Sequence, residues 1–219
     1  MATRFYPYSQ DTPDVSPTVD GVWDETASLV RRKIALDTPY GNTWDSNEDT
    51  DTVDGVGYYL LYQFVSEPLD AISATFAVTK AAFRCFESDA KLNGFVHIVF
   101  RKCDGDGSNP TTIDSITDDT EFDAAIVNRF TGSSNLTDQS LSQGDRLVIE
   151  LGFYSSATKD TLNIGRIYLK DDHATTDLPE NDTEATAYNS WIETGDTFTV
   201  ASGDPPAEIV KLGPMFAFA

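Results

Sequence analysis

The tightest constraint in this sequence is a hydrophobic period of two. From Gly144 to Gly152 it reads Gly, Asp, Arg, Leu, Val, Ile, Glu, Leu, Gly, which sets Leu147, Ile149 and Leu151 on one face and Arg146, Val148 and Glu150 on the other. That alternation suits a pleated strand and no helix. Tyr58 to Val65 is apolar on both faces, with Tyr58, Leu60, Tyr62 and Phe64 against Tyr59, Leu61, Gln63 and Val65, and so predicts a strand inside a sheet. Ile72 to Phe86 starts with Ile72, Ala74, Phe76 and Val78 in phase, then changes parity to Phe83 and Cys85. A bulge or break near Ala81 and Ala82 is expected. Phe95 to Arg101 reads as a central strand closed by the Gly-rich turn Cys103 to Pro110, and Leu162 to Leu169 as a strand with a shift near Gly165. Thr3 to Tyr6 and Leu29 to Leu36 are shorter strand candidates, while Glu121 to Asn128 fits a short helix or a strand.

No stretch longer than about a dozen residues has helical periodicity. The expected fold is all-β, a single antiparallel sandwich of jelly-roll-like type with roughly eight strands and extended N- and C-terminal arms. The arms are placed at residues 1–27, where Pro7, Pro13 and Pro17 recur, and at 195–219, with the sandwich over 28–194. Thirteen Phe, nine Tyr and three Trp supply the rigid side chains that fill the space between two sheets.

Charge narrows the function. Fifteen basic against 36 acidic side chains give a net charge of −21, with the acids gathered in loops. Such a surface repels phosphate backbones and anionic lipid, so nucleic-acid and membrane-surface roles lose their driving force. Met1 to Gln10 has neither the basic leader nor the apolar stretch of a signal peptide, and no window approaches the roughly 20 apolar residues of a membrane helix. Cys85 and Cys103 are too few for a disulfide framework and read as buried thiols, in keeping with synthesis in a reducing cytoplasm. A turn at Ser88 to Gly94 would set Cys85 opposite a residue near His97 and not opposite Cys103, which argues against a bridge.

No catalytic signature is present. His97 falls in an apolar strand and His173 in an acidic loop, with no serine or cysteine elbow and no HExxH spacing to accompany them. Two acidic segments raise the question of calcium. Asp45, Asp49 and Asp51 lie in a long acidic loop expected from Thr38 to Gly57, but the EF-hand glycine and glutamate positions hold Thr50 and Val56. Asp104 and Asp106 sit in a Gly-rich turn that explains them as well as a metal does. The expectation is no cofactor, with calcium as the alternative. Trp44 and Trp191, with Trp23, lie near loops, where tryptophans more often cap the end of a core; the alternative is a platform for stacking a sugar ring.

Two places interrupt the acidity. Arg31, Arg32 and Lys33 form the one basic cluster, suited to an acidic partner or to this chain's own loops. The C-terminal sequence is apolar, with Ile209, Val210, Leu212, Met215, Phe216 and Phe218, and fits either an edge strand docked in cis or an arm packed on a neighbouring subunit.

Arg31-Arg32-Lys33, the strand Leu147 to Gly152, and Asp177-Leu178-Pro179-Glu180-Asn181-Asp182-Thr183 leading to Tyr188, Asn189 and Trp191 resemble uncharacterised β-sandwich proteins encoded among the virion genes of tailed bacteriophages. The resemblance covers Met1 to Glu193, and the chain after Gly195 departs from it. It implies a non-enzymatic virion structural protein made in the host cytoplasm. The expected role is capsid decoration on the major capsid protein, as a homo-oligomer with no nucleic-acid or membrane partner. The alternative is a tail-associated module that binds a glycan or receptor.

Overall fold

The computed structural model describes residues 2–7, 11–36, 48–53, 55–156, 163–169, 176–186 and 188–202. Among them are thirteen strands: β1 (Thr3–Pro7), β2 (Val30–Leu36), β3 (Glu48–Val53), β4 (Gly57–Val65), β5 (Ile72–Ala74), β6 (Lys80–Glu87), β7 (Gly94–Cys103), β8 (Thr111–Thr117), β9 (Val127–Phe130), β10 (Gln139–Leu141), β11 (Arg146–Ser155), β12 (Asn163–Tyr168) and β13 (Trp191–Thr194). The described residues contain no helix. The all-β sandwich expected from the alternation is the fold.

One hydrogen-bonded path, β3-β12-β6-β13-β1-β2-β4-β11-β7-β8, supplies both layers, with β9 on the other side of β6 and β5 paired to β10 in a small separate sheet. The corner is β2. Val30 to Lys33 runs parallel to Tyr62 to Val65 of β4, while Ile34 to Leu36 pairs antiparallel with Pro7 to Phe5 of β1. A strand that changes sheets in this way closes one side of a sandwich. It also makes the large sheet mixed, since β2 with β4 is its one parallel strand pair among the described residues.

The core lies between the layers. Phe5, Phe83, Cys85, Ile167 and Ile192 from the first sheet (β3, β12, β6, β13, β1) join Tyr59, Leu61, Tyr62, Phe64, Val96, Ile98, Phe100, Leu147, Ile149, Leu151 and Phe153 from the second (β2, β4, β11, β7, β8) in one buried cluster. The inward residues of β11 are those the period of two predicts, and in β7 Val96, Ile98 and Phe100 point inward in the same alternation. In β4 the parity differs from the expected one. The register slips where Leu151 and Gly152 face Tyr62 and Leu60, leaving Leu61 as a bulge. Tyr59 and Leu61 therefore point inward together with Tyr62 and Phe64, while Tyr58, Leu60, Gln63 and Val65 point out. Gly152 faces the bulge because nothing larger fits: a Cβ there would lie 1.9 Å from the Tyr59 carbonyl oxygen.

Several expectations need correction. The parity change in Ile72 to Phe86 is a complete break, earlier than Ala81: β5 ends at Ala74, and Thr75 to Thr79 turns with Phe76 and Val78 at φ 45° and 54°. The turn is held by Asp196, which accepts from the Thr75 and Phe76 amides, and by Asn135, which accepts from the Val78 amide. Ser88 to Gly94 is not a hairpin, because β6 and β7 belong to opposite layers. Cys85 and Cys103 are both buried and free, one inside the core and the other on the outer side of the second sheet. Part of the expected acidic loop is strand β3, paired along its length with β12.

The N-terminal arm is not free. Its start is β1, inside the sheet, and residues 11–29 lie extended across the outer side of the second sheet, where Trp23 and Val15 pack against Leu60, Val65, Val99 and Val148. The expected C-terminal arm likewise begins within the body, since Phe198 is buried against Phe5 and Phe76, and Val200 bridges to Leu69. Gly152→Ala is expected to cost on the order of 3 kcal/mol or more, because main chain must move to admit the methyl group. Urea unfolding measures it, and a midpoint like that of the wild type would show that the bulge is not held as described.

Candidate functional site

The outer side of the second sheet carries its most unusual chemistry. Glu150 lies in the middle of β11 with no exposed surface, its neighbours across the strands being Gln63 on β4 and Val99 on β7. A carboxylate removed from water needs donors. Its Oε1 accepts from Arg101 Nη1 at 2.9 Å and Gln63 Nε2 at 3.0 Å, and its Oε2 from Trp23 Nε1 at 2.6 Å. The Asp20 amide adds a donor at 3.1 and 3.2 Å. Arg101, 5 % exposed, also donates to the Thr18 carbonyl, and Asp20 closes the ring by accepting from the Thr112 hydroxyl. Further along, Arg146 joins Asp14 at 2.9 Å and the carbonyls of Ser66 and Gly105. Every one of these ties runs between sheet and covering segment, or braces one that does.

His97 lies beside this network, between Trp23 and Tyr58 at ring distances of 5.2 and 4.6 Å. Its Nδ1 and the Thr117 hydroxyl are 2.8 Å apart, and its buried Nε2 has no hydrogen-bond partner among the described residues. Burial pulls its pKa down to about 4, against the pull of Asp20, so the ring is neutral near pH 7. This is a core histidine and not a base facing a cleft.

The first sheet has a matching cover. Residues 176–186 and 188–190 cross its outer side, and Trp191, fully buried, donates its indole N–H to the Leu178 carbonyl at 2.8 Å. Arg4 stacks over the Trp191 ring at 4.0 Å while bridging Asp177 and Glu193, each at 2.7 Å. Both faces of this indole are therefore occupied, and Trp191 is not a sugar platform. Trp23 is buried as well, and Trp44 lies outside the described residues.

The remaining predicted residues divide. Arg31 donates to Gln63 at 2.9 Å and Lys33 to Glu67 at 2.7 Å, which raises the lysine pKa, so two members of the basic cluster serve this chain's own groups. Arg32 donates to the Arg31 carbonyl and has no carboxylate partner among the described residues. Asp104 and Asp106 accept from Asn109 and Ser108 within their own turn, the role a turn without metal gives them. Asp49 and Asp51 belong to β3 and not to a loop, while Asp45 lies outside the described residues, as do Ile209, Val210, Leu212, Met215, Phe216 and Phe218. Among the described residues no three His, Cys, Asp or Glu are grouped as a metal site.

Sequence reasoning passed over two further acids. Glu87 and Asp118 are buried beside the start of β7, where Glu87 faces the Gly94 amide at 3.4 Å and the Asp118 amide reaches the Val96 carbonyl. Burial pushes Glu87 up to about 7 and Asp118 up to about 6. Nearby Arg129 does not neutralise them, since it donates to the carbonyls of Glu121, Asn128 and Asp182. Raised carboxyl values often mark acid–base chemistry. These two are only 2 % and 5 % exposed, so a substrate does not reach them.

Compared with known proteins, the chain matches no family model and no curated sequence.

The buried acids give stability a definite pH dependence. Glu87 binds its proton more tightly in the folded chain, so its contribution is complete below about pH 4.5 and is lost as pH rises through about 7. His97 acts in the opposite sense: its contribution is complete above about 6.5 and is lost as pH falls toward 4. Glu87→Gln is expected to gain stability relative to the wild type at pH 8 compared with pH 5. Urea midpoints across that range test it, and parallel curves for the two proteins would contradict the assignment.

Proposed function

We propose that this protein is a non-enzymatic structural component of a tailed-bacteriophage particle, a decoration protein bound to the outside of the capsid through the major capsid protein. The observation that carries this reading is the cover on both sheets. A sandwich whose two outer sides are clasped by its own chain, through buried ion pairs and indole hydrogen bonds, is a rigid body. That suits a part that bears load through surfaces better than one that opens around a substrate. A net charge of −21 keeps such a part soluble at high concentration before assembly. Buried free thiols suit synthesis in a host cytoplasm.

On this reading the particle contacts are Arg32 and the apolar sequence from Ile209 to Phe218, and the protein acts as a homo-oligomer. A second reading, a tail-associated glycan-binding module, is favoured by one observation, a row of aromatic side chains left uncovered on the second sheet.

Immunogold labelling of particles with an antibody to the sandwich tests the location. Label over heads is expected; unlabelled particles, or label confined to tails, would contradict it. A chain ending at Ser202 keeps Phe198 and Val200 and so remains folded, but is expected to lose at least about tenfold in capsid occupancy. Undiminished occupancy would remove the C-terminal segment as the anchor.

A further inference from the structure

The segment that covers the second sheet leaves one end of it open. Tyr154 on β11 stands directly opposite Tyr58 on β4 and directly opposite Phe95 on β7, so the three share one outward row across the central strands. Their ring centroids are 5.0 and 6.4 Å apart, and the Phe95 and Tyr154 planes differ by only 29°. All three are partly exposed, whereas Leu60, His97, Gln63, Glu150 and Val99, in the next rows along the same face, are buried under residues 11–29. The cover's last ring contact is the edge of Trp23 against Tyr58, at 6.5 Å and 84°.

Cross-strand aromatic pairs stabilise a sheet, but stability alone does not require that three rings on central strands keep part of their surface exposed. The row is stiff, because it rests on central strands and is propped by His97 against Tyr58 at 4.6 Å. It spans three strands, roughly 10 Å, about the length of two linked pyranose rings. Beside it, the Asp24 carboxylate accepts from the Tyr58 amide with Oδ2, at the exposed edge of the row. A row of rings inclined to one another by 42° and 29°, with phenol hydroxyls and a carboxylate at its border, matches linked sugar rings, which offer axial C–H groups to a π face and hydroxyls to its rim.

Charge selects among ligands that stack. Nucleic-acid bases bring phosphates and acidic sugars bring carboxylates, and a chain of net charge −21 repels both. We propose that the Tyr58–Tyr154–Phe95 row is a binding site for a neutral oligosaccharide of at least two hexose rings. The site does not depend on where the protein sits on a particle, and its test uses the soluble full-length chain.

The probes are gluco-, galacto- and manno-configured oligosaccharides and N-acetylglucosamine oligomers, displayed on an array and then titrated in solution. Binding to at least one of these neutral series is expected, with Tyr154→Ala and Phe95→Ala each lowering affinity about tenfold, the worth of one aromatic contact. Tyr154→Phe keeps the stacking face and is expected to bind within about threefold of wild type. Phe95→Ala, at one end of the row, carries the test if Tyr154→Ala does not fold. No binding to any neutral series, affinity unchanged in both alanine variants, or preference for anionic glycans would each overturn the proposal. So would a concentration-dependent dimer in sedimentation that Tyr154→Ala abolishes, since the row would then be a contact between copies.

Discussion

A single buried carboxylate organises much of this molecule. Glu150 sits mid-strand on the outer side of a sheet, where an ionised group without donors costs several kcal/mol. Arg101 and Gln63 come from the strands on either side, but they are not enough to exclude water from that face. The indole of Trp23 and the amide of Asp20 complete the set, and both come from residues 11–29. The segment is thus held by a polar centre as well as by the apolar contacts of Val15 and Trp23. Removing one member leaves others buried and unpaired, which is why such networks act as units.

The other side repeats the principle with the roles exchanged. There the sheet supplies the tryptophan, Trp191, and the cover supplies the acceptor, the Leu178 carbonyl. Arg4 plays the part of Arg101, fixed by Asp177 from the cover and by Glu193 from the sheet. The result is four layers in which charge holds extended chain against β-sheet. What reaches solvent is therefore selective. Arg32 lacks a carboxylate partner among the described residues, and the Tyr58–Tyr154–Phe95 row keeps part of its surface exposed at the edge of the cover.

The layered core was legible in the alternation of β11 and in the apolar runs of β4 and β7, because long strands with apolar inner faces stand out in a sequence. Other features were hidden for physical reasons. The bulge at Leu61 leaves no mark in a run that is apolar on both faces; its one trace is Gly152, the residue that makes room on the opposing strand. Strand β3 is masked by its composition, Glu-Asp-Thr-Asp-Thr-Val, which reads as loop until β12 is there to pair with it. The polar centre had a signal that was open to another reading. Gln63, Arg101 and Glu150 each interrupt an apolar strand, and Arg146 and Glu150 look like a solvent-facing edge unless something covers them. Pro13 and Pro17 hold residues 11–29 out of regular structure, and that made an integral layer look like a loose arm. For Trp191 the choice between core cap and platform was not legible, since proximity to a loop says nothing about which side of the indole the loop occupies; it is fully buried.

The central claim is that residues 11–29 are an integral layer and not an appendage. Native-state hydrogen exchange tests it at the amides of Asp20, which donates to Glu150, and Asp24, which donates to the Tyr58 carbonyl. Protection of both approaching that of the Ile149 and Ile98 amides in the central strands is the predicted result. Exchange at the rate of an unfolded chain, with the central strands still protected, would contradict it.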